Sequence, residues 1–372
     1  VSAVQYCFIE PLDVLFLRGN KLFGDPGSYG ECLIPPWPSV AAGAIRSRML
    51  VDAGIDLTEF GKGRVEHPAL GTPDQPGSFT VAAFHLARRA GQRVEILTAP
   101  PADLVIDEQC NVSARAPQSA PTGLQSSSAL PLLPVLAQGN KRSKAATGYW
   151  LTQSGWEAYL RGELPMAEQL VHSSKLWVFD ARVGIGMSAD TRSVEEGKLF
   201  SAQAIAMKKD VGFVAAVAGA EPPSAGLLRF GGDGRAASIS RVDLKVAEPD
   251  YQSMVQAGRC RLVLTTPGLF ADGWKLPGTD SANRVSLPGI SARLACAAVP
   301  RAETISGWDL ANWQPKPAQR VAPTGSVYWL DELEATPEAL RKLAECGLWG
   351  TPCEDRARRA EGFNRVAIGA WS

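Results

Sequence analysis

The sequence is poor in the residues from which most catalytic centres are built. Among its 372 residues are only three histidines, His67, His85 and His172. None stands in an H-E-x-x-H pattern or beside an aspartate, so metal-assisted hydrolysis has no sequence support. No serine lies in G-x-S-x-G, which leaves a nucleophile elbow without a candidate. The seven cysteines include no C-x-x-C pair, and their odd number suits a reducing compartment. Lys plus Arg and Asp plus Glu both total 38. Bulk charge therefore gives no general attraction to nucleic acid, and any such binding needs a local patch. No apolar run reaches the roughly 20 residues that span a bilayer, and the first residues lack a signal peptide's basic start and apolar core. The expectation is a cytoplasmic protein with no membrane partner.

What is present is apolar residues at 45%, together with 36 glycines and 27 prolines. That composition describes a globular protein with much ordered irregular backbone, and the length favours two moderate domains. Residues 4–9 read as a central strand, interrupted near Pro11. A basic glycine loop follows, Arg18-Gly19-Asn20-Lys21-Leu22-Phe23-Gly24. The rigid stretch Ile34-Pro35-Pro36-Trp37-Pro38-Ser39 then leads to a helix over 40–50, with Ser39 as its cap. On that helix Arg46 and Arg48 point about 160° apart, so they cannot both clamp one small ligand.

Residues 80–90, with His85 among them, read as a second helix, and 93–97 as a strand. Residues 111–148, rich in Ser, Ala, Pro and Gln, read as an insertion. A short helix is expected over 155–160 and a strand over 175–179. Arg182-Val183-Gly184-Ile185-Gly186 reads as a second basic glycine loop, and Gly231-Gly232-Asp233-Gly234-Arg235 as a third unit in which Asp233 can orient Arg235. Thr336-Pro337-Glu338 opens a helix that stops near Gly347. The last expected strand, 363–371, has Val366 and Ile368 on one face.

The recurring pairing of arginine with glycine-rich turns is the main functional signal. Glycine lets main-chain amides approach a phosphate, and arginine adds a directional charged fork. Arg18, Lys21, Arg182 and Arg235 all occupy this setting. It is not a nucleotide fingerprint: Gly24 is followed by Asp25 where the ATPase loop needs lysine, and the third unit lacks G-x-G-x-x-G. Phe23, Tyr29 and Trp37 near the first loop, and Tyr149, Trp150 and Trp156 further on, are candidates for base stacking or for core packing. Arg356, Arg358 and Arg359 read as a solvated, salt-bridged segment, with an RNA or subunit contact as the alternative.

These residues together resemble a known family, the third subunit of the Cmr effector, a type III-B CRISPR ribonucleoprotein of the repeat-associated mysterious protein superfamily. The resemblance is carried by Phe8-Ile9-Glu10-Pro11-Leu12-Asp13-Val14-Leu15-Phe16-Leu17-Arg18, by Pro35-Pro36-x-Pro38-Ser39 and by Ala42-Gly43-Ala44-Ile45-Arg46-Ser47. It continues through Tyr149-Trp150-Leu151-Thr152, Arg182-Val183-Gly184-Ile185, Gly231-Gly232-Asp233-Gly234-Arg235, the 321–329 stretch and Gly362-Phe363-Asn364. It implies an α+β fold of two ferredoxin-like, RRM-related domains with long loops and insertions. The expected division is 1–165, with the 111–148 insertion, and 166–372, whose final strand packs at the domain junction.

The resemblance also implies a noncatalytic subunit without metal or cofactor. Its partners would be the 5′ tag of the guide RNA, the large palm-domain subunit and the adjacent backbone subunit. Arg18 and Arg46 are carried over first to RNA binding, then Arg182 and Arg235. Gly184, Gly186, Gly231, Gly232 and Gly234 provide backbone approach, and Lys21, Phe23, Tyr29 and Ser39 complete the set. Where the family commonly has glutamate, this chain has the shorter Asp233. A metal-independent precursor-RNA endoribonuclease and a purely structural adaptor remain as alternatives.

Overall fold

The computed structural model describes residues 4–19, 29–91, 93–123, 125–136, 145–309 and 314–371. Lys21 and Phe23 lie outside them. The fold is α+β, with several antiparallel sheets and few helices. Its first large sheet uses β1 (Gln5–Pro11), β2 (Thr80–Ala90), β3 (Arg93–Leu97), β6 (Val211–Ala218), β7 (Ala225–Arg229) and β8 (Ala236–Val242). Between β3 and β6 in the chain comes a long hairpin, β4 (Trp177–Met187) and β5 (Val194–Met207). The sheet order is β7-β8-β1-β6-β2-β3, so β1 is central, as its apolar run leads one to expect. The strands of this sheet come from both sides of position 165.

Period-2 alternation explains how β1 is buried on both faces. Cys7 and Ile9 pack against helix α1 (Pro38–Asp52) through Ala41, Ala42, Ile45 and Met49. Phe8 points the other way, to Val214, Ala87, Ile96 and Leu244. Helix α1 starts one residue before its expected cap. Pro38 occupies its first turn and Trp37 is the N-cap, with no side-chain cap bond, so Ser39 lies inside the helix. Proline's fixed φ suits that first position, which takes over the initiating role assigned to Ser39.

Residues 80–90 form strand β2 instead of a helix. It pairs with β6 and β3, and a bulge opposite Ala216/Val217 lets Val81 and Phe84 share the face toward α1. Alanines and a two-sided apolar pattern resemble a buried helix in sequence, but cross-strand pairing on both edges decides the conformation.

His85, opposite Val214 on the sheet's second face, has its pKa pushed down to about 4 by burial. The folded state therefore holds the neutral ring while the unfolded chain protonates near 6.5. This contribution to stability is complete above the unfolded value and is lost as pH falls through the folded one. Denaturant titrations from pH 7 to pH 4 should show falling stability, with a shallower slope for His85→Phe.

The second large sheet has order β10-β11-β12-β9-β13, built from β9 (Cys260–Leu264), β10 (Arg284–Leu287), β11 (Ile290–Ala298), β12 (Val327–Ala335) and β13 (Val366–Gly369). One face carries Leu262, Leu294, Leu330 and Ile368 against Leu340 and Leu343 of α3 (Pro337–Cys346). That helix matches its sequence signals, with Thr336 accepting from the Ala339 amide and Gly347 at the end. The other face sets Val263, Cys296, Val327 and Trp329 against Trp156, Tyr159 and Leu160 of the earlier helix α2 (Gln153–Leu160). The Ala370 amide donates to the Leu160 carbonyl at 2.7 Å, which ties the last strand to α2.

The 111–148 segment is partly regular. Val112–Gln118 pairs with Leu104–Ile106 and with Leu133–Leu136, and Leu130 enters the second core.

Candidate nucleic-acid interface

Residues 12–18 leave β1 and run beside β5 and the third glycine unit. The chain alternates there. Leu15 and Leu17 enter the main core, while Val14 and Phe16 pack on Ala202 and Ala204 of β5. Leu15 exchanges two hydrogen bonds with Ile205, at 2.8 and 2.9 Å, and Arg18 bridges Cys32.

Phe16 is the centre of the site. The Arg235 guanidinium lies 5.2 Å from its ring centroid and that of Arg182 5.8 Å, a cation–π geometry on both counts. Arg235 donates from Nη1 to Asp13 Oδ2 at 2.5 Å, and Arg182 donates from Nε to Asp180 Oδ2 at 2.9 Å. Asp13 is therefore the carboxylate that orients Arg235, in place of the expected Asp233. The Val14 amide and then the Arg235 guanidinium hold the Asp13 carboxyl below its usual pKa, against some opposing burial.

The 231–235 turn is clamped onto the same ring's backbone. Gly232 N–H donates to the Phe16 carbonyl at 2.8 Å, and the Phe230 amide closes the turn on the Arg235 carbonyl. Gly231 has φ +79°, and a side chain there would stand 2.9 Å from the Phe16 carbonyl oxygen. Glycine is needed for both reasons. Gly234 faces open space.

The second glycine unit is not a loop. Arg182, Gly184 and Gly186 lie inside β4, paired with β5. A Cβ at Gly184 would stand 2.2 Å from the Phe200 ring, and one at Gly186 2.7 Å from Lys198 Cβ. These glycines accept side chains of the neighbouring strand, a use of strand glycine that a loop reading misses. The Tyr29 backbone pairs in parallel with Ser201 of β5, which brings the first loop's exit to the same hairpin.

Arg18, Tyr29, Arg182, Gly184, Gly186, Gly231, Gly232, Gly234 and Arg235 thus converge on one region. Arg46 and Ser39 belong to α1 elsewhere. Burial lowers the Arg46 pKa, opposed by Glu361 of α4 (Arg356–Glu361), while Arg48 turns to Asp52 at 2.7 Å and the Leu227 carbonyl at 2.9 Å. The helical spacing separated the two arginines correctly.

Of the second aromatic group, Trp150 and Trp156 belong to the interior, Trp150 edge-on to Trp177 and Trp156 stacked on Tyr159 at 5.5 Å, while Tyr149 is half-buried with its hydroxyl 3.1 Å from Cys110 Sγ. Trp37 is also buried. Arg358 is not solvated; it is buried with Glu361 at 3.0 Å and over the Phe363 ring. Sequence reasoning missed Asp13 and Phe16 as site residues, although both stand in the segment that carries the family resemblance. Among the described residues, no group of three or more His, Cys, Asp or Glu is placed to hold a metal ion.

The arrangement sets two guanidiniums, each oriented by an aspartate, over the buried Phe16 ring and leaves both partly exposed, which suits contact with a phosphate. The fold and this site define an antiparallel-sheet α+β protein with an arginine–aromatic surface site. The chain belongs to the CRISPR-associated protein family Cas_Cmr3, whose profile matches residues 7–371. Among solved structures, it is similar to a chain of the type III-B Cmr-beta complex bound to cognate target RNA and AMPPnP, at 15% identity and a TM-score of 0.47, covering 91% of this chain and 88% of that one. A chain of Cmr-beta bound to cognate target RNA gives 16% identity, a TM-score of 0.47, and coverage of 87% and 86%. Comparison with curated proteins gives no match.

Proposed function

We propose that this chain is a noncatalytic RNA-binding and scaffolding subunit of a type III-B CRISPR effector. It positions the 5′ tag of the guide RNA and joins the large palm-domain subunit to the backbone, in the cytoplasm. Membership of the Cas_Cmr3 family supports the setting. The observation that carries the reading is the convergence of Arg182 and Arg235 on Phe16 beside the Gly231–Gly234 backbone. Phosphate contacts of this kind fix the path of a strand, and the buried Phe16 ring serves to hold both guanidiniums in place for them. Arg18 and Tyr29 are taken as part of the same track and Arg46, on α1, as a separate contact, with Lys21 and Phe23, outside the described residues, proposed as further RNA-binding residues.

The two large sheets are read as two ferredoxin-like units, the first drawing strands from as far along as Val242. The face of the β4–β5 hairpin that carries Val183, Ile185 and Leu199 is exposed and apolar, which suits contact with a neighbouring subunit. Protein–RNA crosslinking in the assembled complex tests the reading. Crosslinks should fall in peptides around Phe16, Arg182 and Arg235 and weaken when the tag is removed. Crosslinks confined to other subunits would favour a purely structural adaptor, and metal-independent cleavage of precursor RNA by this chain alone would favour an endoribonuclease.

A further inference from the structure

A second site stands apart from the Phe16 cluster. A cleft of about 920 Å³ opens in the second half of the chain, between the 125–136 segment and a two-stranded ribbon of Glu303–Ile305 and Gln319–Val321. Its size is that of a small-molecule site. Ser128 and Leu130 form one wall, Phe270 and Trp274 another, and Gln319 and Arg320 the rim.

The walls are held in place. Leu130 is anchored in the core, the Ala129 carbonyl accepts from Asn283 Nδ2 at 2.9 Å, and the Leu132 amide donates to the Ala295 carbonyl at 3.0 Å. The buried Tyr328 hydroxyl fixes Trp274 by donating to its carbonyl at 2.7 Å. The Trp274 side chain nevertheless stays 38% exposed, whereas Phe270 is 7% exposed.

Arg320 is exposed, and its side chain makes no hydrogen bond or ion pair among the described residues; Arg301, next to the lining residues Pro300 and Ala302, is likewise exposed and without an ion pair. Gln319 accepts from Arg358 Nε at 3.0 Å through Oε1, which turns its amide toward that buried arginine. The cleft thus offers a partly exposed indole, apolar walls and the Arg320 guanidinium. A ligand that matches has a flat ring and an anionic group.

We propose that this cleft binds one nucleotide, with its base against Trp274 and its phosphate on Arg320. The cleft also gives the 111–148 insertion a role, as one wall of the site. The proposal rests on the RNA-binding reading only for the source of the nucleotide: a base extruded from an RNA strand and a free nucleotide share the chemistry.

Calorimetric titration of the full chain with each of the four nucleoside 5′-monophosphates, with the matching nucleosides and with inorganic phosphate tests it. At least one monophosphate should bind saturably and more tightly than its nucleoside or than phosphate. Trp274→Ala should weaken that binding about 10-fold or more, the scale of one base–aromatic stack. Arg320→Ala should remove the advantage over the nucleoside, and Ala302→Trp, which fills the cleft from its lining, should abolish binding. The same titrations in the Arg182→Ala/Arg235→Ala background separate any monophosphate held near Phe16 from that held in the cleft, and the Trp274 and Arg320 effects should persist there.

Competition by a short oligoribonucleotide assigns the site to an RNA strand, and binding of mononucleotides alone assigns it to a free nucleotide; both uphold it. Saturable binding by none of the four monophosphates, or equal binding by all three cleft variants, overturns it. Intact mononucleotide binding in a protein with no preference for tagged RNA would overturn the tag reading instead.

Discussion

Replacing Arg261 with alanine lowers the free energy of unfolding by about 3–5 kcal/mol, the range for breaking a buried ion pair from one side. Arg261, on β9, donates from Nη1 to Asp103 Oδ2 at 3.1 Å, and Asp103 is fully buried. The same guanidinium lies 3.7 Å from the Tyr159 ring centroid and donates from Nη2 to the Tyr159 carbonyl. The Tyr159 hydroxyl donates to both Asp103 oxygens, at 2.9 and 3.0 Å. Burial pushes the Asp103 carboxyl above its usual pKa, with Arg261 foremost among the groups that oppose it.

Without Arg261 the carboxylate is left buried and uncompensated, which costs more than the pair contributed. The double variant Asp103→Leu/Arg261→Met should therefore recover much of the loss. Denaturant unfolding of the two variants measures this, and a loss below about 1 kcal/mol for Arg261→Ala would place the pair among those that are screened and weak. The three residues join the segment before Leu104–Ile106, helix α2 and the second sheet, so the effect should reach the packing between the two halves of the chain.

The double replacement Arg182→Ala/Arg235→Ala weakens binding of tag-bearing guide RNA on the order of 100-fold. Two charge-assisted hydrogen bonds at about 1.5 kcal/mol each give that scale. The dependence on salt should flatten as well, since each phosphate of a single strand that is no longer neutralised takes about 0.7 off the log–log slope. Arg182 and Arg235 are partly exposed, so the fold should be unaffected. Because both approach Phe16, the single variants should not add simply. Binding measured at several salt concentrations decides the matter, and unchanged affinity with unchanged slope would remove this cluster from the RNA path.

Local chemistry made part of this molecule legible. The central opening strand, the α1 region and helix α3 from Thr336 to Gly347 follow from alternation, proline and capping residues within a few positions of each other. The misreadings have one cause. Residues 80–90 became a strand because β6 and β3 flank them, and 182–186 became a strand because Phe200 and Lys198 fill the space above its glycines. In both cases the deciding partner is distant in sequence or lies across a hairpin. Asp103 and Arg261, 158 positions apart, carried no sequence signal, because burial is not a property of a residue read alone.

By itself the sequence determined a balanced, globular α+β chain without a nucleotide loop or hydrolytic motif, and it singled out the arginines paired with glycine. Only the tertiary structure decided which of these arginines meet. Asp13 reaches Arg235 across 222 positions, and Phe16 draws in Arg182 from a separate hairpin, while α1 carries Arg46 away toward Glu361. The physical reason is that charge and ring geometry act through space over a few ångströms, whereas spacing along a chain constrains only neighbours within a helix turn or a strand pair.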